Sequence, residues 1–110
     1  MLNQVVLVGR LTNDIEVKEV ENNKKVSTIV LAIPRSFKNQ EGIYETDFIN
    51  CTLWNIIAEN TAEYCKKGDL VGVKGRIQTN EIEKEDGTKE YKLEIFAEKI
   101  TFLSTKKEEE

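Results

Sequence analysis

The side chains best placed to do chemistry in this chain lie between Ile43 and Ile57. Odd positions there carry Ile43, Ile49, Cys51, Leu53 and Ile57, while even positions carry Tyr44, Thr46, Phe48, Asn50, Thr52 and Trp54. In an extended strand the two sets point to opposite faces. The odd set is an apolar stripe suited to a core. The even set mixes three aromatic rings with polar groups, an odd composition for a surface that only meets water. Rings held on such a face can stack on other flat π-systems, and each stacked nucleobase is worth ~1–3 kcal/mol. A packing role competes at Phe48 and Trp54, since large aromatics are mostly buried, but the opposite stripe already supplies the core. Tyr44 lies nearer a loop and reads as a packing residue.

A stacking surface for nucleic acid also needs cations. The 110 residues hold 16 Lys and Arg against 20 Asp and Glu, a formal charge of −4. Long-range attraction follows net charge, so the total argues against indiscriminate binding to polyanions. The distribution is uneven, however. Residues 22–40 contain Lys24, Lys25, Arg35 and Lys38 and no acid, and residues 70–80 contain Lys74 and Arg76 and no acid. Acids gather instead at residues 14–21 and 81–90. Arg10, Arg35, Lys74 and Arg76 fall within strand patterns, where basic side chains can line a groove. Lys24 and Lys25 read as solvated charges of a turn.

Other chemistries find no support. The chain has no His, which removes histidine acid–base catalysis and His-ligated metals. Cys51 and Cys65 form no CxxC pattern and read as apolar fillers in a reduced, cytoplasmic chain. There is no P-loop and no paired nucleophile and base, so no catalytic residue, metal or cofactor is expected. The run Val5–Val8 is too short for a signal segment, and no stretch approaches a membrane span.

The elements that must position these groups follow from the pattern. Residues 2–17 are rich in Val and Leu and read as a first strand, with Gly9 inside it as at a barrel corner. Glu21-Asn22-Asn23-Lys24 is a turn, because Asn tolerates positive φ. Val26–Ile33 is a β-branched strand whose ladder Pro34 ends or interrupts. Lys38–Gly42 is a loop and Ile43–Ile57 the third strand. Ala58–Lys67 is the one helix, with Lys66 and Lys67 suited to its C-terminal dipole and Gly68 to a left-handed cap. A fourth strand, Leu70–Asn80, and a last one, Tyr91–Leu103, flank an Asp86-Gly87 hairpin signal. Five strands with one helix between the third and fourth fit an all-β OB-fold barrel. Periodicity alone leaves an SH3-like barrel open, and the helix position favours the OB-fold. Residues 1–104 are one domain and residues 105–110 a short charged tail. OB barrels bind oligonucleotides or oligosaccharides on the face of their second and third strands.

Several segments match a family in order and spacing: Asn3-Gln4-Val5-Val6-Leu7-Val8-Gly9-Arg10-Leu11, Thr46-Asp47-Phe48-Ile49-Asn50, Ala58-Glu59-Asn60, Tyr64 with Lys66-Lys67-Gly68, Gly75-Arg76-Ile77-Gln78-Thr79, and Ala97-Glu98-Lys99-Ile100-Thr101-Phe102-Leu103. Over residues 1–104 the chain thus resembles bacterial and phage single-stranded DNA-binding proteins. The resemblance implies an OB-fold homotetramer that coats single-stranded DNA during replication, recombination and repair, in the cytoplasm and associated with the nucleoid. It implies base stacking by Phe37, which follows Pro34-Arg35-Ser36, and by Phe48 and Trp54. Arg10, Arg35, Lys74 and Arg76 would neutralise phosphates. Two departures stand out. Ile82 occupies the hairpin position where the family commonly has an aromatic, among Glu81, Glu83, Glu85 and Asp86. The chain also ends at Glu108-Glu109-Glu110, without the acidic, hydrophobic-tipped peptide through which members recruit replication and repair proteins. The alternative function is an OB-fold accessory subunit whose aromatic face binds protein, as exposed aromatics at interfaces do.

Overall fold

The alternation of core and surface residues closes into a barrel. A computed structural model of the protein describes residues 1–104. In chain order the elements are β1 (Val5–Leu11), β2 (Lys18–Val20), a 3-10 turn at Glu21–Asn23, β3 (Lys24–Lys38), β4 (Tyr44–Trp54), α1 (Asn55–Tyr64), β5 (Leu70–Glu83) and β6 (Lys89–Ser104). The sheet order is β1-β5-β6-β4-β3-β2, and β1 also pairs with β3. Five long strands therefore close on themselves, with β2 as a short edge on β3. The helix follows the third long strand, as expected for an OB-fold. Among the described residues only β4 and β6 pair in parallel, through Cys51↔Ile95 and Thr52↔Phe96.

The core is made of Leu11, Ile29, Leu31, Cys51, Leu53, Ala58, Val71, Val73 and Ala97, with Ile49, Ile57 and Cys65 packed against it. Fully burying an aliphatic side chain of this kind contributes about 1.5–3 kcal/mol. Of the odd positions, Ile49, Cys51 and Leu53 thus join the core whereas Ile43 is 55% exposed, and the even positions lie on the opposite face of β4. Burial pushes the Cys51 thiol up to about 11, consistent with an inert filler.

Several boundaries differ from those the sequence suggests. The first strand stops at Leu11, and Thr12 then donates both its N–H and its hydroxyl to the Val30 carbonyl. The second strand runs on past Pro34 to Lys38, with a register shift between those two residues. Pro34 interrupts the ladder without ending the strand. The third strand ends at Trp54, because Asn55 takes φ 53° and turns the chain into α1. The helix accordingly begins three residues before Ala58 and ends at Tyr64. Lys66 and Lys67 lie beyond it, so they do not complement its dipole. Gly68, at φ 95°, is no helix cap: it donates its N–H to the Leu11 carbonyl at 2.8 Å and ties the helix exit to β1.

Beyond the barrel, β5 and β6 continue as an exposed two-stranded ribbon from Asn80↔Lys92 to Glu83↔Lys89. Its turn is held by Asp86, whose Oδ1 accepts from the N–H and hydroxyl of Thr88, with Gly87 at φ 85°. Among the described residues, no helix is long and apolar enough to cross a membrane.

Candidate nucleic-acid interface

The outward face of β4 presents Phe48, Asn50, Thr52 and Trp54. Their β3 partners are Ala32, Val30, Thr28 and Val26, short or slender side chains that leave the rings proud. The parallel step Thr52↔Phe96 places Phe96 on the same face, and period-two spacing adds Glu94 and Lys92. Across β5, Arg76, Gln78 and Asn80 lie opposite Phe96, Glu94 and Lys92.

These side chains enclose a trough of three linked hollows. The central one, about 520 Å³, is lined by Lys24, Trp54, Asn55, Gln78, Asn80, Glu94 and Phe96. A second, about 300 Å³, shares Asn80 and Glu94 and adds Thr28, Asn50, Thr52, Lys92 and Leu93. The third, about 580 Å³, shares Lys24 and Trp54 and extends to Val20, Glu21 and Asn22. Trp54 is half-buried and stands where the first and third hollows meet. Phe48 is 65% exposed, two residues along β4 from the trough residue Asn50. Phe37 is equally exposed on the distal part of β3. Tyr44 is exposed as well, with the Lys38 ammonium 5.5 Å from its ring centroid. The packing role expected of Tyr44 is therefore not the one it has.

The cations divide into three groups. Lys24 and Lys92 line the trough, and among the described residues neither forms an ion pair. Sequence reasoning assigned Lys24 to a solvated turn and passed over Lys92. The signal for Lys92 was its two-residue spacing with Glu94 and Phe96, out of phase with buried Ala97. Arg76 flanks the trough on β5: its guanidinium lies 4.6 Å from the Phe96 ring centroid, its Nε donates to Gln78 Oε1 at 3.1 Å, and Glu98 is 3.5 Å away. Lys74 is exposed two residues earlier on the same side of β5.

Arg35 and Arg10 are engaged elsewhere. Asp47 accepts from Nε and Nη2 of Arg35, and Glu45 accepts from Nη1. Asp47 adjoins Phe48 in sequence, so this clamp lies on the other face of β4. The Asp47 hydrogen bonds raise the Arg35 pKa, and the Arg35 guanidinium holds the Asp47 carboxyl below its ordinary value. Arg10 lies opposite Leu70 at the far end of β5 and donates to the Gly68 carbonyl at 3.0 Å. The structure does not bring it to the trough. Lys25 is paired with Glu59 of the helix. Two of the four positive charges along residues 22–40, Lys25 and Arg35, are thus met by acids that the fold brings from elsewhere.

Residues 2–103 match the family model described as the Single-strand binding protein family. The chain belongs to this family. It is similar to Single-stranded DNA-binding protein B of Bacillus subtilis (strain 168), at 50% identity over 99% of this chain and 96% of that protein. It is also similar to the Single-stranded DNA-binding protein of Bacillus cereus, at 50% identity over 94% of this chain and 61% of that protein. Single-stranded DNA-binding protein 1 of Streptococcus agalactiae serotype III is 48% identical over 96% of this chain and 65% of its own. The chain thus spans nearly the whole of the first relative and a little under two thirds of the other two.

Ile82, 44% exposed, pairs with Glu90 on the side of β5 that carries Gln78 and Asn80. The acids around it are partly neutralised, by Lys89 on Glu81 and Lys84 on Glu90. The expected charged tail, residues 105–110, lies outside the described residues.

Proposed function

We propose that residues 1–104 bind single-stranded DNA without catalysis, as a cytoplasmic coating protein in replication, recombination and repair. The observation that carries this reading is Trp54 standing between two hollows, with unpaired Lys24 lining both and exposed Phe48 on the same face of β4. Single-strand binders combine stacking rings with a positive groove. Phe37, Phe48 and Trp54 stack on bases. Lys24 and Lys92 meet phosphates within the trough, and Lys74 and Arg76 do so along its β5 flank. Arg35 contributes less, since two carboxylates already offset it. Arg10 stays with the Gly68 carbonyl, outside the trough.

The homotetramer implied by the family resemblance has support from β1. That strand pairs with β5 from Val5 to Arg10 but with β3 only at Arg10 and Leu11. An unpaired edge therefore runs beside Val6 and Val8, which are 68% and 49% exposed. An open edge of this kind is a ready template for another strand.

Band-shift titration with a labelled single-stranded oligomer and its duplex tests the binding reading. The single strand is expected to bind and the duplex to bind far more weakly. Trp54→Ala is expected to cost ~1–3 kcal/mol, roughly a 5- to 150-fold rise in Kd. Absence of any shift at low salt rejects the reading.

A further inference from the structure

We infer that Asn55 is the positioning residue of the trough, holding the Trp54 ring and the Lys24 ammonium in register with one another. The inference rests on the single-strand binding reading and goes beyond it, because stacking rings and cations do not by themselves set their own spacing.

Trp54 and Lys24 come from different strands, yet both line the central hollow and the one that extends to Val20. They are neighbours because β3 begins where β4 ends. At this end Val26↔Trp54 is the last rung between those strands. The next rung would pair Lys25 with Asn55, but Asn55 takes φ 53° and its backbone leaves the sheet for α1. Its side chain supplies the missing rung. Oδ1 of Asn55 accepts from the Lys25 N–H at 3.0 Å, as a ladder carbonyl does. One amide thus joins the Lys24-Lys25 backbone to the Trp54-Asn55 corner.

The residue type meets two demands at once. Asn and Asp enter the left-handed region more readily than other non-glycine residues. Their short side chains also reach nearby backbone groups. Glycine would meet the first demand and fail the second. The other tie at this corner is the Lys25–Glu59 ion pair, which is exposed, and exposed pairs contribute little. The bond from Asn55 to backbone is therefore the one that fixes the corner. Asn55 itself lines the central hollow, so slack at this position reaches the stacking surface directly.

The test compares the unmodified chain with Asn55→Gly and Asn55→Asp. Glycine keeps the left-handed turn and loses the acceptor, whereas aspartate keeps both. In the free protein, acrylamide quenching of Trp54 emission should rise in Asn55→Gly and stay at the unmodified value in Asn55→Asp. Aspartate adds a negative charge to the trough, so that variant is read in the free protein alone. Titration with dT20 should give Asn55→Gly a Kd about two- to ten-fold higher, the range expected for losing one such hydrogen bond. Hydrogen exchange in the unmodified chain needs no variant: the Lys25 amide should be as protected as the β3–β4 ladder amides, and fast exchange there overturns the inference. Weaker dT20 binding by Asn55→Gly with unchanged Trp54 quenching makes Asn55 a direct donor to the strand and overturns the positioning role. Quenching that rises equally in both variants, or in neither, overturns it as well and leaves single-strand binding intact. An unmodified chain that does not bind dT20 overturns both readings.

Discussion

Arg35 shows why a charge counted along a chain is not a charge at a site. It was expected to meet phosphate, yet Asp47 and Glu45 grip its guanidinium on the face of β4 away from Phe48. The acids came from a different strand, and nothing in residues 22–40 announces them. The reverse holds for Lys24, which looked like a turn charge and lies at the trough because its strand ends beside Trp54. The placing of Phe48 and Trp54 on one face of β4, in contrast, was legible, since period two depends on local geometry alone. Freeing Arg35 should strengthen binding: Asp47→Asn is expected to lower the Kd for a single strand a few-fold at low salt, and an unchanged or weaker affinity would show that the clamp is not a competitor. The same pair has a pH signature. Arg35 holds the Asp47 pKa below its ordinary 3.8, so the pair's contribution to stability is present above about that pH and fades as pH falls through the lower folded value. Carboxyl titration by NMR should find the Asp47 midpoint low, and Arg35→Ala should return it to the ordinary range.

Strand and turn chemistry came through in the sequence where a local rule governs it. The Asn22 and Asn23 turn has φ 62° and 60°, and the Asp86-Gly87 hairpin forms as its residues demand. The helix was misplaced because its ends are set by distant contacts. Asn55 breaks the strand, and its Oδ1 is held by the Lys25 N–H. At the other end the Asp69 carboxylate takes the Lys66 N–H at 2.9 Å and draws the Lys-Lys-Gly segment into a separate turn. At Gly75 the β5 backbone lies close against the β6 backbone. A Cβ there would fall 2.1 Å from the Phe96 carbonyl oxygen, a backbone atom that cannot step aside. Gly75→Ala is therefore expected to cost about 1–3 kcal/mol, as overpacking commonly does. It should also weaken single-strand binding, because Phe96 floors the trough. Thermal denaturation checks the first effect, and an unchanged Tm would contradict the geometry.

Across the molecule, the charge of −4 conceals a division of surfaces. Two acids of the ribbon, Glu81 and Glu90, are answered by Lys89 and Lys84, and among the described residues Lys24 and Lys92 of the trough form no ion pair. The face around β1 is different again, with exposed Val6 and Val8 beside an unpaired edge. If that edge joins copies of the chain, sedimentation at micromolar concentration should give a tetramer mass. Val6→Lys with Val8→Lys should reduce it without loss of the β circular dichroism. A monomer mass for the unmodified chain would refute the assembly.

Trp54 is the single tryptophan, so its emission reports directly on the trough. Titration with oligo-dT across a salt series is the decisive measurement. Stacking should quench the emission. With Lys24, Lys74, Arg76 and Lys92 on phosphates, log affinity should fall linearly with log salt with a slope near about −3, from the single-strand coefficient of roughly −0.7 per contact. Emission that does not change at the lowest salt, or an affinity indifferent to salt, would contradict single-strand binding in this trough.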